Sequence, residues 1–453
     1  MKLTSFPRFG RWAARIALSG LAAVAALPAA SNSPQPMPAT LDLKTAVAFA
    51  LENNFPIREA RERIRQQAGV EIQVRAREIP NVSANGNYTG NSTQVSQTFP
   101  PTANTWNIAL EARQVLFAGG GVMASVRGAR LTREAAELEL EGIINQQLLA
   151  VRTQFYTVLL AKEKITVQEE NVRLFGKQLQ DAQSRFNAGS TSNFDVLRAQ
   201  VALANGQPPL IQARNDYRIA IEQLRQVLGF VSAARGADAA KVPEFVGSLA
   251  VGEPAKIELT DALEAAHAKR PELQQLARLE QAGEQNIKTS RAGYLPEVDL
   301  VGGYLWLRNP SSGVWSDRLQ GWTGGVQAQW NIFDGRATAG RVVQARSQLE
   351  QAKLSLAETM LSVDVQVRQA YSSLVEAWEL VQASGKTVEQ AQEALRLANV
   401  RYGAGTATQL DVLTSQVALT QARLDQLQAY YGYNVALTTL RQAMGQADEY
   451  VTS

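Results

Sequence analysis

The stretch RYGAGTATQLDVL, from Arg401 to Leu413, decides the fold because a near copy, RFNAGSTSNFDVL, runs from Arg185 to Leu197. The two stretches start 216 residues apart, and the same offset overlays the chain on itself without a gap. Identical residues meet at this offset along the whole overlap: Pro80 and Pro296, Tyr88 and Tyr304, Trp106 and Trp322, Phe117 and Phe333, Gly229 and Gly445. Self-similarity at a fixed period predicts a structure built from repeated units.

The offset predicts two copies of one unit, a first repeat over residues 41–229 and a second over 257–445. The stretch between them, residues 230–256, is rich in Ala, Gly and Pro, which is typical of a connector. Residues 446–453 are left as a C-terminal tail.

The first 30 residues have the pattern of a secretory signal peptide: basic residues, an apolar run from Ile16 to Leu27, then small residues. The run of about 12 residues is shorter than the ~20 that a bilayer-spanning helix needs, so an N-terminal anchor helix is the weaker alternative. This segment holds four basic and no acidic side chains, so its removal changes the formal net charge from +3 to −1. A nucleic-acid partner therefore loses its main support. The chain has no Cys, which argues against a lipid-anchored N-terminus.

Each repeat is predicted to open with a helix, over Ala46–Arg77 in the first copy, followed by a strand hairpin. The hairpins are expected at about 80–117 and 296–333, where side chains alternate with a period of two. One face is apolar, and large aromatic residues mark its margins: Tyr88, Trp106, Tyr304, Trp306, Trp322 and Trp330. This alternation fits strands that face lipid on one side and water on the other, with aromatic residues at the membrane interfaces.

After each hairpin the period changes to that of a helix. Long helical hairpins are predicted over residues 120–229 and 336–445, with tips near 187–192 and 403–408. In the second copy, apolar residues keep a heptad spacing, which is a coiled-coil pattern: Val367, Ala370, Leu374, Ala377, Val381, Val388, Ala391, Leu395, Ala398 and Tyr402. A helix of ~65 residues would be roughly 100 Å long, far more than one globular core needs.

The near-identical stretches are predicted to form the tips of these hairpins. Gly189 and Gly405 can supply the left-handed residue that ends a helix. Thr191 or Ser192 in the first copy, and Thr406 or Thr408 in the second, can cap the returning helix. The pair Pro208–Pro209 is expected to kink the first return helix.

Four strands per chain predict an oligomer, because the smallest membrane barrels have about eight strands and open edges are not stable in lipid. Two chains would give eight strands and three would give twelve. We favour three, because an eight-stranded barrel is filled by its own side chains. The expected fold class is therefore α+β, mainly α, with duplicated long helical hairpins and four transmembrane strands that complete a 12-stranded barrel as a trimer. A soluble sandwich with exposed Trp side chains is the alternative.

Enzyme function and bound cofactors are not expected. His267 is the only His, so neither a His-based metal cluster nor a Ser/His/Asp triad can be built. The SGKT at Ser384 resembles a phosphate-binding loop, but Leu380 stands where that motif needs Gly. The chain is therefore predicted to be a passive conduit.

The duplication, the LFAGG and IFDGR strand-to-helix junctions at Leu116 and Ile332, and the two tip stretches together resemble the TolC family of outer-membrane efflux and secretion channels. The resemblance covers nearly the whole exported chain. It implies a homotrimer in outer-membrane lipid with a helical tunnel in the periplasm, and it places the connector in the equatorial region of that tunnel. It also implies two partners, a periplasmic adaptor and an inner-membrane pump. Ala118 departs from the family pattern, because the second copy has the usual Asp at that place, Asp334.

The resemblance implies site residues at the tips. It places gate acids near Asp195 and Asp411 and implies that Tyr402 helps to hold the entrance shut. Acidic rings select cations in channels, but an Asp at this place can equally be a helix-capping residue favoured by the helix dipole. Arg185 and Arg401 are expected to cap the last helix turn or to pair with these acids. The adaptor is expected to dock on the tips: Asn187, Ala188, Gly189, Ser190, Thr191, Gly403, Ala404, Gly405 and Thr406.

Three functions remain open from the sequence. The first is the exit duct of a tripartite efflux system, and the second is the same duct serving type I protein secretion. The third is a periplasmic coiled-coil adaptor or scaffold. The two hairpins per chain and the aromatic-marked strands argue against the adaptor, which carries one hairpin.

Overall fold

A computed structural model describes residues 39–90, 92, 94, 104–230, 242–309, 312 and 314–446 of the chain. The predicted signal peptide, the loop with Pro100 and Pro101, part of the connector and most of the tail lie outside the described residues.

The two repeats contain the same helices and the same long strands in the same order. The first repeat comprises β1 (Thr40–Leu41), α1 (Leu43–Asn53), α2 (Phe55–Arg75), β2 (Asn81–Gly90), β3 (Asn104–Ala118), α3 (Gly121–Asn187) and α4 (Asn193–Leu228). The connector contains β4 (Glu244–Phe245). The second repeat comprises α5 (Leu259–Lys269), α6 (Pro271–Arg291), β5 (Glu297–Arg308), β6 (Arg318–Gln329), α7 (Ala337–Gly403) and α8 (Gln409–Ala443). The expected fold class, mainly helical with four long strands, is confirmed.

The expected opening helix over Ala46–Arg77 is wrong in one respect, because it consists of two helices that break at Asn54. Asn54 has an extended backbone, and its side chain accepts a hydrogen bond from the Ile57 amide at 3.2 Å. Pro56 follows in the first turn of α2, where its fixed φ and missing N–H are tolerated. The apolar period continues through the break, so it gave no warning of it, although Asn before Phe-Pro is itself a helix-start pattern.

The four long strands form one antiparallel sheet in the order β2–β3–β5–β6. Its register places Tyr88 opposite Trp106, and Tyr304 opposite both Leu110 and Trp322. Because directly opposed residues share a face, the apolar sides of both hairpins lie on the same face of the sheet. The two-residue strands β1 and β4 form a separate parallel pair that ties the N-terminal side of the first repeat to the connector.

The long helices α3 and α7 have 67 residues each, which corresponds to about 100 Å at 1.5 Å per residue. The predicted heptad seam of α7 is its buried stripe, and it packs against α8. Helix α3 contacts α2, α4, α6 and α8, while α7 contacts α6 and α8. In the part of the chain that the structure describes, we find no helix with both the length and the apolar character that a bilayer crossing requires.

Helix α2 continues the line of the returning helix α4, and helix α6 continues the line of the returning helix α8. Gly229, after α4, and Gly445, after α8, adopt positive φ angles of 73° and 66°. A Cβ on Gly229 would lie 2.4 Å from the Asn53 carbonyl oxygen, so the two chain segments touch there. The Asn54 side-chain amide donates to the Val227 carbonyl oxygen at 2.7 Å, which satisfies a carbonyl left free at the end of α4.

The second repeat builds the same junction with a different residue. Arg270, 216 positions after Asn54, donates from Nε to the Ala443 carbonyl oxygen at 2.8 Å. A Cβ on Gly445 would lie 2.8 Å from the Arg270 nitrogen, so α8 ends against the start of α6. Each repeat therefore has one unbroken long helix beside a second line of two helices joined end to end.

The strand-to-helix junctions differ between the repeats as the sequence suggested. Asp334 accepts a hydrogen bond from the Thr338 amide at 2.8 Å, a contact that Ala118 cannot make in the first repeat. The first junction uses Gly120 with φ of 76°, whereas the second has Arg336 with φ of 72° at the same place. Helix α4 is continuous through Pro208 and Pro209, and the kink expected at these prolines stays a prediction.

Candidate functional site at the helical tips

The two tips have the same backbone. In the first, the Ser190 amide donates to the Arg185 carbonyl and the Gly189 amide to the Phe186 carbonyl, each at 2.9 Å. In the second, the Thr406 amide donates to the Arg401 carbonyl at 2.9 Å. This pattern, with Gly189 and Gly405 at φ of 71° and 76°, is the Schellman ending of a helix. The tip residues have short side chains and are mostly exposed to solvent.

Ser192 and Thr408 are the capping residues of the return helices. The hydroxyl of Ser192 accepts from the Asp195 amide, and that of Thr408 from the Asp411 amide, both at 3.3 Å. Asp411 completes the box by accepting from the Thr408 amide at 2.8 Å. In return, Asp195 accepts from the hydroxyl of Thr191 at 2.6 Å. Both acids therefore act as helix-capping residues, which was one of the two roles predicted for them from the sequence.

These hydrogen bonds stabilise the charged form of both acids. The hydroxyl of Thr191 is the main cause that lowers the pKa of Asp195, assisted by Ser192 and by the charge of Arg198. The backbone amide of Thr408 is the main cause that lowers the pKa of Asp411, and its hydroxyl adds to this. The tips therefore carry two fixed negative charges per chain at neutral pH.

Arg185 and Tyr402 join the two tips. The guanidinium carbon of Arg185 lies 4.6 Å from the centroid of the Tyr402 ring, which is a cation–π contact between α3 and α7. The sequence expectation paired Arg185 with Asp195 or with the helix end, and no ion pair between Arg185 and Asp195 is found in the described residues. Arg198 takes that place at 4.0 Å from Asp195. A contact between residues 217 positions apart has no local sequence signal.

A buried polar seam lies above the tips, between α3 and α8. The Gln416 side chain, 1% exposed, donates to the Asn171 carbonyl at 3.2 Å, and Thr420 donates to the Asn171 side chain at 3.0 Å. The Gln178 amide also donates to Gln416. Such polar groups in a helical core fix one register, because any shift leaves them without hydrogen-bond partners. This polar seam was not predicted, although polar residues at the core positions of α8 are a sequence signal for it.

The six predicted interface aromatics fall into two groups. Five lie on the apolar face of the sheet, and Trp322 is 81% exposed in the single chain. Trp330 lies just beyond β6 and donates from its indole to the Tyr294 carbonyl at 3.1 Å. Trp315, between β5 and β6, was not predicted; its ring contacts Tyr88 with centroids 6.1 Å apart. The sheet therefore carries aromatic residues towards both of its ends.

A sequence model of one family, described as outer membrane efflux protein, matches residues 47–230 and 262–446. The chain belongs to this family. The two matched segments fall on the two repeats, and the resemblance to the TolC family is confirmed. Membership makes the chain an outer-membrane efflux channel with a helical tunnel in the periplasm, in a family of passive channels rather than enzymes.

Individual relatives of this efflux-family chain are distant. The alkaline protease secretion protein AprF of Pseudomonas aeruginosa is 26% identical over a match that spans 67% of this chain and 63% of that protein. The outer membrane protein TolC of Escherichia coli is 23% identical, over 77% of this chain and 71% of TolC. Among solved structures, the outer membrane protein VceC of Vibrio cholerae superposes with a TM-score of 0.74 at 16% identity, covering 89% and 96% of the two chains. The structural likeness supports the fold.

Proposed function

We propose that three copies of the chain form the exit duct of a tripartite efflux system. Cargo would enter at the tips from a periplasmic adaptor and an inner-membrane pump, and would leave through a barrel in outer-membrane lipid. The main support for assembly is the packing of four helices in a single row, in the order α2–α3–α6–α7. The two helices at the ends of this row, α2 and α7, expose apolar side chains.

The end helices expose large apolar side chains in the single chain. Leu354 and Leu361 on α7 are 69% and 68% exposed, and Ile72 on α2 is 71% exposed. A row of this kind buries its ends only against further copies, with α7 of one chain against α2 of the next. The sheet has the same property, because β2 and β6 each have one unpaired edge among the described strands. Head-to-tail closure of three chains would pair both edges and give twelve strands.

The tips are the proposed entrance and docking surface. Three chains would bring six carboxylates, from Asp195 and Asp411, to one end of the tunnel, and such rings favour cations. The Arg185–Tyr402 contact would restrain the entrance by tying α3 to α7 in each chain. The exposed tip residues, Asn187 to Thr191 and Gly403 to Thr406, are proposed to receive the hairpins of the adaptor.

The first test is the mass of the detergent-extracted particle from separated outer membranes. We expect a particle of three chains, and a monomer in the soluble periplasmic fraction would contradict the duct. Conductance in planar bilayers then tests the entrance. Asp411→Asn should reduce cation preference, and Arg185→Gln should raise the open fraction, whereas Arg218→Gln on α4, away from the tips, should leave both unchanged.

Secretion is the second candidate, because AprF carries a protein-secretion name. A deletion strain separates the two functions. Sensitivity to small toxic compounds with an unchanged set of secreted proteins indicates efflux. Loss of one secreted protein with unchanged sensitivity indicates secretion.

A further inference from the structure

A pocket of about 530 Å³ lies between α7 and α8, next to the junction that contains Arg270. Along α7 its lining runs from Gln366 to Leu380, which is about 20 Å of helix. The middle of the pocket is lined by small and apolar side chains flanked by amides and hydroxyls, among them Gln369, Ala370, Ser373, Ala377, Val435 and Thr439. This lining suits an elongated molecule with an apolar body.

The pocket lies on the side of the helix pair away from the connector and α5. Those segments cover the other side, where the Ala255 amide donates to the Tyr433 hydroxyl at 2.8 Å and the Trp378 ring packs on Tyr433. In the proposed trimer, the uncovered side faces the interior of the tunnel. That placement rests on the proposed function, whereas the pocket itself belongs to one chain.

Arg270 supplies a buried cation at one end of the pocket. It is 4% exposed, and it donates to the Ala443 carbonyl and, from Nη1, to Gln366 at 2.8 Å. Its Nη2 has no hydrogen-bond partner in the described part of the chain, where no carboxylate lies within ion-pair distance either. Burial lowers the pKa of Arg270, and Glu272 only partly opposes this effect. A buried charge without an anionic partner is costly, so it needs a reason.

The helix junction does not provide that reason. In the first repeat the neutral Asn54 makes the equivalent bond, to the Val227 carbonyl, at 2.7 Å. An uncharged side chain is therefore sufficient to join a return helix to the next helix. The positive charge of Arg270 is specific to the repeat that has this pocket.

Gly432 is the second unusual residue of the pocket. It lies inside α8, where glycine lowers helix stability, and its φ is not in the left-handed region. A Cβ built on Gly432 meets no described atom within 4 Å, so close packing does not require glycine there. The first repeat has Asp216 at the same position. A side chain at 432 would instead enter the pocket.

We propose that this pocket binds an amphipathic carboxylate, with its head against the guanidinium of Arg270 at the end of the pocket and its apolar body along α7 and α8 past Gly432. A guanidinium offers its N–H donors in a fixed planar fork, and a carboxylate that reaches it makes charge-assisted hydrogen bonds and balances its charge. Glu376, towards the far end of the pocket, disfavours a second anionic group and so fixes the direction of the ligand.

The test uses the purified full-length protein in amphipol and the probe 4′-fluorobiphenyl-4-carboxylate, observed by ¹⁹F line broadening. The uncharged carboxamide of the same probe is the ligand control. We expect wild type to bind the carboxylate at least tenfold more tightly than the carboxamide. Arg270→Asn, which copies the first-repeat junction, should remove this preference. The same substitution at Arg278, on the exposed side of α6, should retain it.

A second variant guards against misfolding of Arg270→Asn. Gly432→Leu keeps the charge, favours the helix and fills the pocket, so it should weaken binding of both probes at least tenfold. Equal affinity of wild type and Arg270→Asn for the carboxylate, or unchanged binding in Gly432→Leu, overturns the proposal. Particle mass on the same samples separates the two ideas: a trimer without Arg270-dependent binding refutes only the pocket, and a monomer that binds the carboxylate refutes only the duct.

Discussion

Arg336 is the one non-glycine residue with positive φ among the described residues. Left-handed backbone costs an ordinary residue about 1–2 kcal/mol, and the first repeat avoids this with Gly120. We expect Arg336→Gly to stabilise the protein by a net of roughly 0.5–1 kcal/mol, since glycine also gains entropy in the unfolded state. Thermal unfolding of the purified particle measures this as a raised Tm. The reverse change, Gly120→Arg, should lower Tm, and a fall in Tm for Arg336→Gly would count against the strain.

The acids at the tips predict a response to low pH. A carboxyl whose folded pKa is lowered contributes its stability above the ordinary value of about 4 and loses it as pH falls through the lowered value. The tip after α7 should therefore stay ordered at neutral and mildly acidic pH and loosen below about pH 4.

The absence of Cys allows one spin label, at Ala404→Cys, to report on this change. We expect the electron paramagnetic resonance line shape to become mobile only below about pH 4. Asp411→Asn should make it mobile at every pH, and Asp181→Asn, outside the cap, should keep the original profile. A mobile label at pH 7 in the unmodified tip would show that the cap does not order it.

At the scale of elements, α3 and α4 approach closely because Gly206 has no side chain. A Cβ on Gly206 would lie 2.9 Å from the Phe175 ring. Gly206→Ala should therefore destabilise by about 1 kcal/mol, since an overpacking cost of about 1–3 kcal/mol exceeds the ~1 kcal/mol that alanine gains in a helix. Phe175→Leu should rescue it in the double variant. Gly176→Ala on α3, which meets nothing within 4 Å, should instead raise Tm.

Elements were predictable where one local rule decides them. The heptad stripe of α7 follows from spacing, and the structure has it there. Residue type narrowed each cap to two hydroxyls, Thr191 or Ser192 and Thr406 or Thr408, and the structure uses Ser192 and Thr408. The break at Asn54 was missed because a continuous apolar period outweighed a cap signal one residue long. The Arg185–Tyr402 contact and the burial of Arg270 at the end of α8 were not predicted, because each depends on the packing of helices far apart in sequence.

At the scale of the whole molecule, the exposed row ends predict how assembly fails. Leu361→Glu places a charge on the outer side of α7, where the proposed neighbour would bury it. We expect the three-chain particle to dissociate or fail to form, as measured by mass photometry after extraction. Glu358→Gln, on the same helix, changes the charge by one unit in the opposite direction, keeps a polar side chain and should leave the trimer intact. If the trimer stays intact with Leu361→Glu, Leu361 does not lie at the interface between chains.

The jointed line of helices beside each unbroken one has a mechanical consequence. Helices α3 and α7 can carry torque from the periplasmic tips to the strands, because a continuous helix resists twisting along its length. The lines α4–α2 and α8–α6 are held at their joints by a few hydrogen bonds, so they can rotate there at much lower cost. In the assembled tube, torsionally stiff helices would then alternate with helix lines that can rotate at a joint. A pull on the tips would therefore be taken up first by rotation at the joints, before the unbroken helices pass torque on to the strands.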